Sequence, residues 1–246
     1  MEDNMIYLSP NDTFNFSCSS NLSCFNECCQ DLVQYLTPYD ILRIKNRLGI
    51  SSDVFLQKYT TEHTGPETGL PVIAFKTKQT DRNKCPFISS SGCKIYEDRP
   101  SSCRMYPLAR GVFRSRETEK ITEQYVLLKE THCLGCSQEK IWTIGEWIID
   151  QELAEYNKMN DMLMEIISLK NRLLPGVLDI KSRLVFHMAC YDLDRFRTDI
   201  FEKDLLKDFT CDTPDILNKI KDDDTALLLL GLKWLKHILF NDRGTR

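Results

Sequence analysis

The chain has 246 residues, 42% of them hydrophobic and 28% charged, with a formal net charge of -4. That length and balance allow a packed core, in one large domain or two modest ones, and exclude a disordered chain. The slightly acidic charge offers no field for nucleic acid or anionic lipid, so no nucleic-acid partner is expected.

Met1-Glu2-Asp3-Asn4 is acidic and lacks the basic-then-apolar layout of a secretion signal. Leu36-Thr37-Pro38-Tyr39-Asp40 reads as a helix start, with Thr37 as N-cap and Pro38 in the first turn. Ile41, Ile44 and Leu48 continue it as an apolar stripe to Gly49, and Ser51-Ser52-Asp53 opens a second helix. Pro71 to Lys78 and Lys94 to Tyr96 read as strands, and Gly111 to Arg114 with Glu123 to Lys129 as a hairpin. A long helix is expected from Glu152 to Leu173, ended by Pro175-Gly176, with further helices near Tyr191 to Asp208, Pro214 to Lys221 and Thr225 to Phe240. The most apolar run, Ala226 to Phe240, carries Lys233, Lys236 and His237 and is too short and charged to span a bilayer. A cytoplasmic protein is expected, in a compartment that keeps unligated thiols reduced.

Composition changes near residue 140, from cysteines, turns and short apolar stretches to helical periodicity. The expected fold is α+β and predominantly helical. A cysteine-rich metal-binding module with short strands covers 1–140, and a helical region packed on it covers 141–246.

Nine of the eleven cysteines lie between positions 18 and 136 and arrive in groups. They are Cys18, Cys24, Cys28 and Cys29, then Cys85, Cys93 and Cys103, then Cys133 and Cys136. An odd total, an adjacent pair and a chain that needs no staples all argue for metal ligands over disulfides. Zinc and iron-sulfur clusters each take four thiolates, so nine fill one site with spares or two sites using eight. An all-thiolate shell argues against magnesium and calcium. Cys28 and Cys29 face one metal only if the backbone kinks, because successive side chains diverge. Cys133-Leu134-Gly135-Cys136 reads as a ligating turn, its glycine expected at positive φ. A redox dithiol would sit at a helix start in a thioredoxin-like unit, which is not evident here.

Cys190 and Cys211 sit in apolar helical surroundings and read as core thiols. Of the histidines only His132, beside Cys133, is placed to join a centre. Arg99, Arg104 and Arg110 surround the second cysteine group, where they can offset thiolate charge or pair with Glu97 and Asp98. Asp40, Tyr96 and Tyr106 read as supporting polar residues.

Phe16-Ser17-Cys18, Cys24, Cys28-Cys29, Leu36-Thr37, Asp40, Cys85-Pro86-Phe87, Gly92-Cys93, Ile95-Tyr96-Glu97, Arg99-Pro100, Cys103-Arg104 and Tyr106-Pro107 resemble the YkgJ-type cysteine-cluster family over roughly residues 14–136. Members of that family are described as chelating zinc or iron. Residues 142–147 and 156–160 are similar to the helical extension of longer members. The family's first cysteines form a tight C-x-x-C-x-x-C-C run, whereas Cys18, Cys24 and Cys28 here are separated by five and three residues. That looser spacing is similar to the flagellin lysine methylases, which carry an iron-sulfur cluster.

The resemblance and the thiolates together imply a 4Fe-4S cluster or zinc in a structural, redox or sensing role. One alternative is a protein lysine methyltransferase, although no G-x-G follows a strand to suggest a Rossmann-type cofactor site. Another is a zinc-stabilised adaptor that docks a protein partner on its helical part. Residues up to Ser137 are expected to take up metal without the helical region, and to lose it faster.

Overall fold

Short local signals set most helix ends here. The computed structural model describes residues 5–9, 11–31, 33–78, 82–114, 121–209 and 215–240. Its first elements are β1 (Met5–Leu8), β2 (Thr13–Asn15), β3 (Tyr35–Leu36), α1 (Pro38–Leu48), α2 (Ser52–Tyr59), β4 (Thr60–Thr64) and β5 (Pro71–Phe75). Next come β6 (Ile88–Ser89), β7 (Gly92–Cys93), α3 (Ser101–Met105), β8 (Leu108–Arg114), β9 (Ile121–Leu128) and β10 (Ile141–Thr143). The chain then turns helical with α4 (Ile144–Asp150), α5 (Leu153–Leu173), α6 (Ile180–Cys190), α7 (Leu193–Glu202), α8 (Ile216–Lys219) and α9 (Asp224–Phe240). The fold is α+β and mainly helical, and no described helix is long and apolar enough to cross a membrane.

Helix α1 follows its sequence signal closely. Thr37 and Asp40 form a reciprocal capping box, Pro38 opens the first turn, and Gly49 closes the helix at φ 63°. Two expectations shift. Lys94 to Tyr96 is not a strand: Lys94 N–H donates to Phe87 O at 2.9 Å, and a 3-10 turn, Tyr96–Asp98, follows at once. Ile95, at φ -116° and ψ 32°, has already left the extended conformation. Only Leu193–Glu202 of the expected Tyr191 to Asp208 helix forms, as α7. The unexpected α6 precedes it, N-capped by Asp179, which accepts from Ser182 N at 3.0 Å. Of the expected Pro214 to Lys221 helix, α8 forms, while Pro214 lies outside the described residues.

The chain divides into two compact units, each made of two segments: 1–32 with 77–157, and 33–76 with 158–246. These units interleave along the chain, whereas composition changes once, near residue 140. In the first unit β1, β9 and β8 form an antiparallel sheet, and β10 pairs with β2 with Trp142 opposite Phe14. Its core gathers Phe14, Phe16, Met105, Leu108, Tyr125, Leu127, Ile144, Trp147 and Leu153, with Cys133 and Cys136 packed against it. Trp147 is the hub. Its ring meets Phe14, Phe16 and Trp142 edge-on at centroid distances of 5.8, 5.5 and 5.2 Å, and its Nε1 donates to Met105 O at 3.0 Å.

In the second unit β5 is the centre of the sheet β3-β5-β4, and helices including α1, α2, α6, α7 and α9 bury their apolar faces. Most of the α9 stripe is buried, from Ala226 to Phe240. Gly231 on α9 lies so close to α6 that a Cβ there would stand 2.7 Å from Ala189 O. Buried Lys45 of α1 pairs with Asp224 at 2.8 Å and Asp194 at 3.3 Å, and Arg197 pairs with both acids. Burial pushes the Asp224 carboxyl up, but hydrogen bonds from Lys45 and Arg197 outweigh it and leave the group below its usual value. Its stabilisation is therefore present above the ordinary carboxylate range and lost as pH falls through the depressed value. Lys45→Met is expected to destabilise the chain by about 1 kcal/mol, because it strips one partner from two half-buried acids that keep Arg197. Urea unfolding midpoints at neutral pH measure it.

Candidate metal centre

All nine clustered cysteines fall in the first unit, although residues 33–76 of the intervening chain belong to the other. The first segment reaches the centre through a loop after β2. Phe16 N–H donates to Lys140 O at 2.9 Å and Ser17 N–H to Gly135 O at 3.1 Å, which sets Cys18 beside the turn of Cys133 to Cys136. Leu134 N–H donates to Cys24 Sγ at 3.3 Å, so Cys24 meets the same turn. Gly135 is not at positive φ, as its place in the turn had suggested. It is required because a Cβ there would lie 2.5 Å from the Phe16 ring.

Cys28 and Cys29 ride on a 3-10 turn entered through Asn26 at φ 73°, a kinked backbone that lets adjacent side chains converge. Their sulfurs stand 4.0 Å apart. Two sulfurs on one tetrahedral zinc are separated by about 3.8 Å, given Zn–S bonds of about 2.3 Å. The adjacent pair is thus close to the edge of a ligand tetrahedron. This turn is stitched to the next cysteine segment: Cys85 N–H donates to Cys29 O at 2.9 Å, Asp31 N–H to Arg82 O at 2.7 Å, and Asn26 Nδ2 to Ser89 O at 3.0 Å. The hairpin β6–β7 then carries Cys93, paired across it with Ile88. Cys103 sits on α3.

The thiols feel one another. Burial raises Cys18, followed by the neighbouring Cys28, Cys24 and Cys133. Burial pushes Cys85 up to about 11, with Cys93 and Cys28 adding to it. Cys93 rises through burial and the nearby Cys28, while Arg99 opposes the rise. Cys28 is raised mainly by its contact with Cys29, then by burial. Cys136 is raised by burial and then by Cys133. The thiols form one connected set: Cys28 interacts with Cys18, Cys29, Cys85 and Cys93, Cys18 also reaches Cys24 and Cys133, Cys133 reaches Cys136, and Arg99 lies near both Cys93 and Cys103.

Among the described residues no three His, Cys, Asp or Glu side chains stand in the arrangement of a preformed ion site. What the fold supplies is the donor chemistry: soft thiols from four separate segments, gathered in one compact unit. That set suits zinc or iron and sulfide rather than magnesium or calcium.

Other candidate residues take defined places. His132 Nε2 faces Glu130 at 3.5 Å. Arg110 pairs with Glu123 at 2.7 Å. Asp40 serves as the α1 capping residue in the second unit. Tyr106 packs against the core, and burial, then Cys133, pushes its phenol up. Cys190 is fully buried in α6, where burial raises its thiol, and Cys211 lies outside the described residues. Gln151 escaped sequence reading: it binds both Arg99 and Arg104, and nothing local marks it.

Residues 17–139 match the family model CxxCxxCC, described as "Putative zinc- or iron-chelating domain". No curated protein and no solved structure matches the chain.

Proposed function

This chain belongs to the CxxCxxCC family of zinc- or iron-chelating domains, and on that premise we propose that its nine clustered cysteines hold one or two thiolate-ligated centres. The ligands are drawn from Cys18, Cys24, Cys28, Cys29, Cys85, Cys93, Cys103, Cys133 and Cys136. The carrying observation is their convergence within one compact unit from segments more than a hundred residues apart. Iron-sulfur is preferred to zinc, because the thiolates outnumber what one structural zinc uses. A redox, sensing or structural role follows from such a centre, with the second unit serving the first rather than binding metal itself.

Iron, sulfide and zinc analysis of anaerobically purified full-length protein tests this. Iron with matching acid-labile sulfide is expected. Zinc alone would reassign the centre as structural, and folded protein with neither would overturn the reading.

Affinity should also depend on pH with a definite sign. Thiols held above their ordinary value, Cys85 at about 11, are protonated in the metal-free protein at neutral pH. Metal must displace those protons, so affinity rises with pH through the neutral and mildly alkaline range and falls on acidification. Each thiol proton released steepens the slope by about tenfold per pH unit. Zinc competition titrations between pH 6 and pH 8 read that slope, and a flat profile would exclude protonated thiols as ligands.

A further inference from the structure

Arg99 and Arg104 are buried in the first unit, at 8% and 2% exposure, with little negative charge to answer them. Arg99 stacks on the Tyr96 ring, 3.9 Å from its centroid, and donates through Nη1 to Tyr96 O at 2.5 Å and through Nη2 to Gln151 Oε1. Arg104 lies over the Tyr156 ring at 4.9 Å and donates to Gln151 O at 2.8 Å and to Glu97 O. Its carboxylate contact is Glu152 at 3.7 Å, a side chain 72% exposed, and its Nε is buried with no hydrogen-bond partner. Among the described residues Arg99 has no ion pair with a carboxylate. Carbonyl oxygens, an amide and aromatic faces fix both guanidinium groups in place, but they do not neutralise them. Two like charges left this way are costly to bury.

The groups that answer them are cysteines. Arg99 lies within electrostatic reach of Arg104, Cys103 and Cys93, and Arg104 follows Cys103 directly on α3. In the metal-free chain the two guanidinium groups meet only carbonyl oxygens, an amide, aromatic faces and the exposed Glu152. A divalent metal held by four thiolates carries two net negative charges, the complement of two guanidinium groups.

We propose that Arg99 and Arg104 are a built-in cation pair that neutralises the thiolate centre formed with Cys93 and Cys103. The inference rests on the metal-binding reading above and adds an electrostatic partner to it. Its consequence is a reversal of sign. The pair strains the metal-free protein and stabilises the loaded one, so it raises affinity at the expense of apo stability. A purely structural pair, tying Glu97 and Gln151 together, would stabilise both forms alike.

The experiment uses the full chain with zinc as probe, in competition with a chromophoric chelator, and thermal melting of the metal-free protein. Arg99→Met and Arg104→Met are expected to weaken zinc binding by about 10- to 100-fold. Arg99→Lys and Arg104→Lys should recover most of that loss. Metal-free melting of the methionine variants should match or exceed that of the parent. Where Arg104→Met fails to fold, Arg99→Gln against Arg99→Lys makes the same comparison. Zinc affinity unchanged in the neutral variants would overturn the proposal while leaving the metal-binding reading intact. So would equal losses in lysine and methionine variants with lower apo melting, the signature of a structural tie. A parent protein that binds neither zinc nor iron would remove the metal-binding reading itself, and this proposal with it.

Discussion

Serine at Cys85, Cys93 or Cys103 is expected to remove bound metal and to unfold the unit that holds it. A structural zinc site contributes about 10–16 kcal/mol of apparent binding free energy, as large as the whole stability of an ordinary domain. Losing one thiolate from four forfeits a large share of it, since serine is a hard and weakly acidic donor. Cys85 has further reach, because the backbone around it joins the turn of Cys28 and Cys29 to the β6–β7 hairpin. Cys190→Ala is the contrast. That thiol is fully buried on α6 in the second unit, so the change should cost about 1 kcal/mol by lost packing and leave metal per chain unaltered. Cys211→Ser is likewise expected to retain metal. Metal content per chain and thermal melting, measured on all five variants, check the division. Equal metal loss at Cys190 and Cys85 would erase the distinction between ligands and core thiols.

Features carried by a few neighbouring residues were legible in the sequence. Thr37, Pro38 and Gly49 mark α1, and the structure places each in its expected role at the helix ends, while Asp40, read as a supporting polar residue of the cysteine motifs, completes the α1 capping box instead. Pro71 to Phe75 and the β8–β9 hairpin follow from β-rich runs flanked by turns. Features that depend on distant partners were not legible. Lys45 falls within the apolar stripe of Ile41, Ile44 and Leu48, and only Asp194 and Asp224, from α7 and α9, account for a charge there. The two cysteines at 28 and 29 read as divergent because the turn that joins them starts from a left-handed Asn26, a residue with no glycine to announce it. Helix α6 was missed because its apolar residues lie too evenly around it to give a one-sided stripe: Leu184 is exposed while Phe186, Ala189 and Cys190 are buried.

The same nonlocality changes what a truncated chain should do. Composition suggested that residues up to Ser137 would take up metal alone, with the rest acting as a shield. Beyond Ser137, however, lie β10, which pairs with β2, and Trp147, around which Phe14, Phe16 and Trp142 are assembled. Leu153 of the same core and Gln151, which fixes both buried arginines, are also beyond that point. Residues 33–76, moreover, would lose the 158–246 segment that completes their unit. A chain ending at Ser137 is therefore expected to be unfolded and metal-poor rather than merely faster to release metal. Trp147→Ala in the full chain isolates the core's share. Removing a buried tryptophan costs about 3–5 kcal/mol. Because the Cys133 to Cys136 turn packs on that core, the loss should accelerate release to chelator while the second unit stays folded. Release kinetics of the parent, the Trp147→Ala variant and the shortened chain decide the matter. A shortened chain that keeps metal as long as the parent would show that the cysteine segments assemble without the Trp147 core, and that residues after 137 serve another purpose.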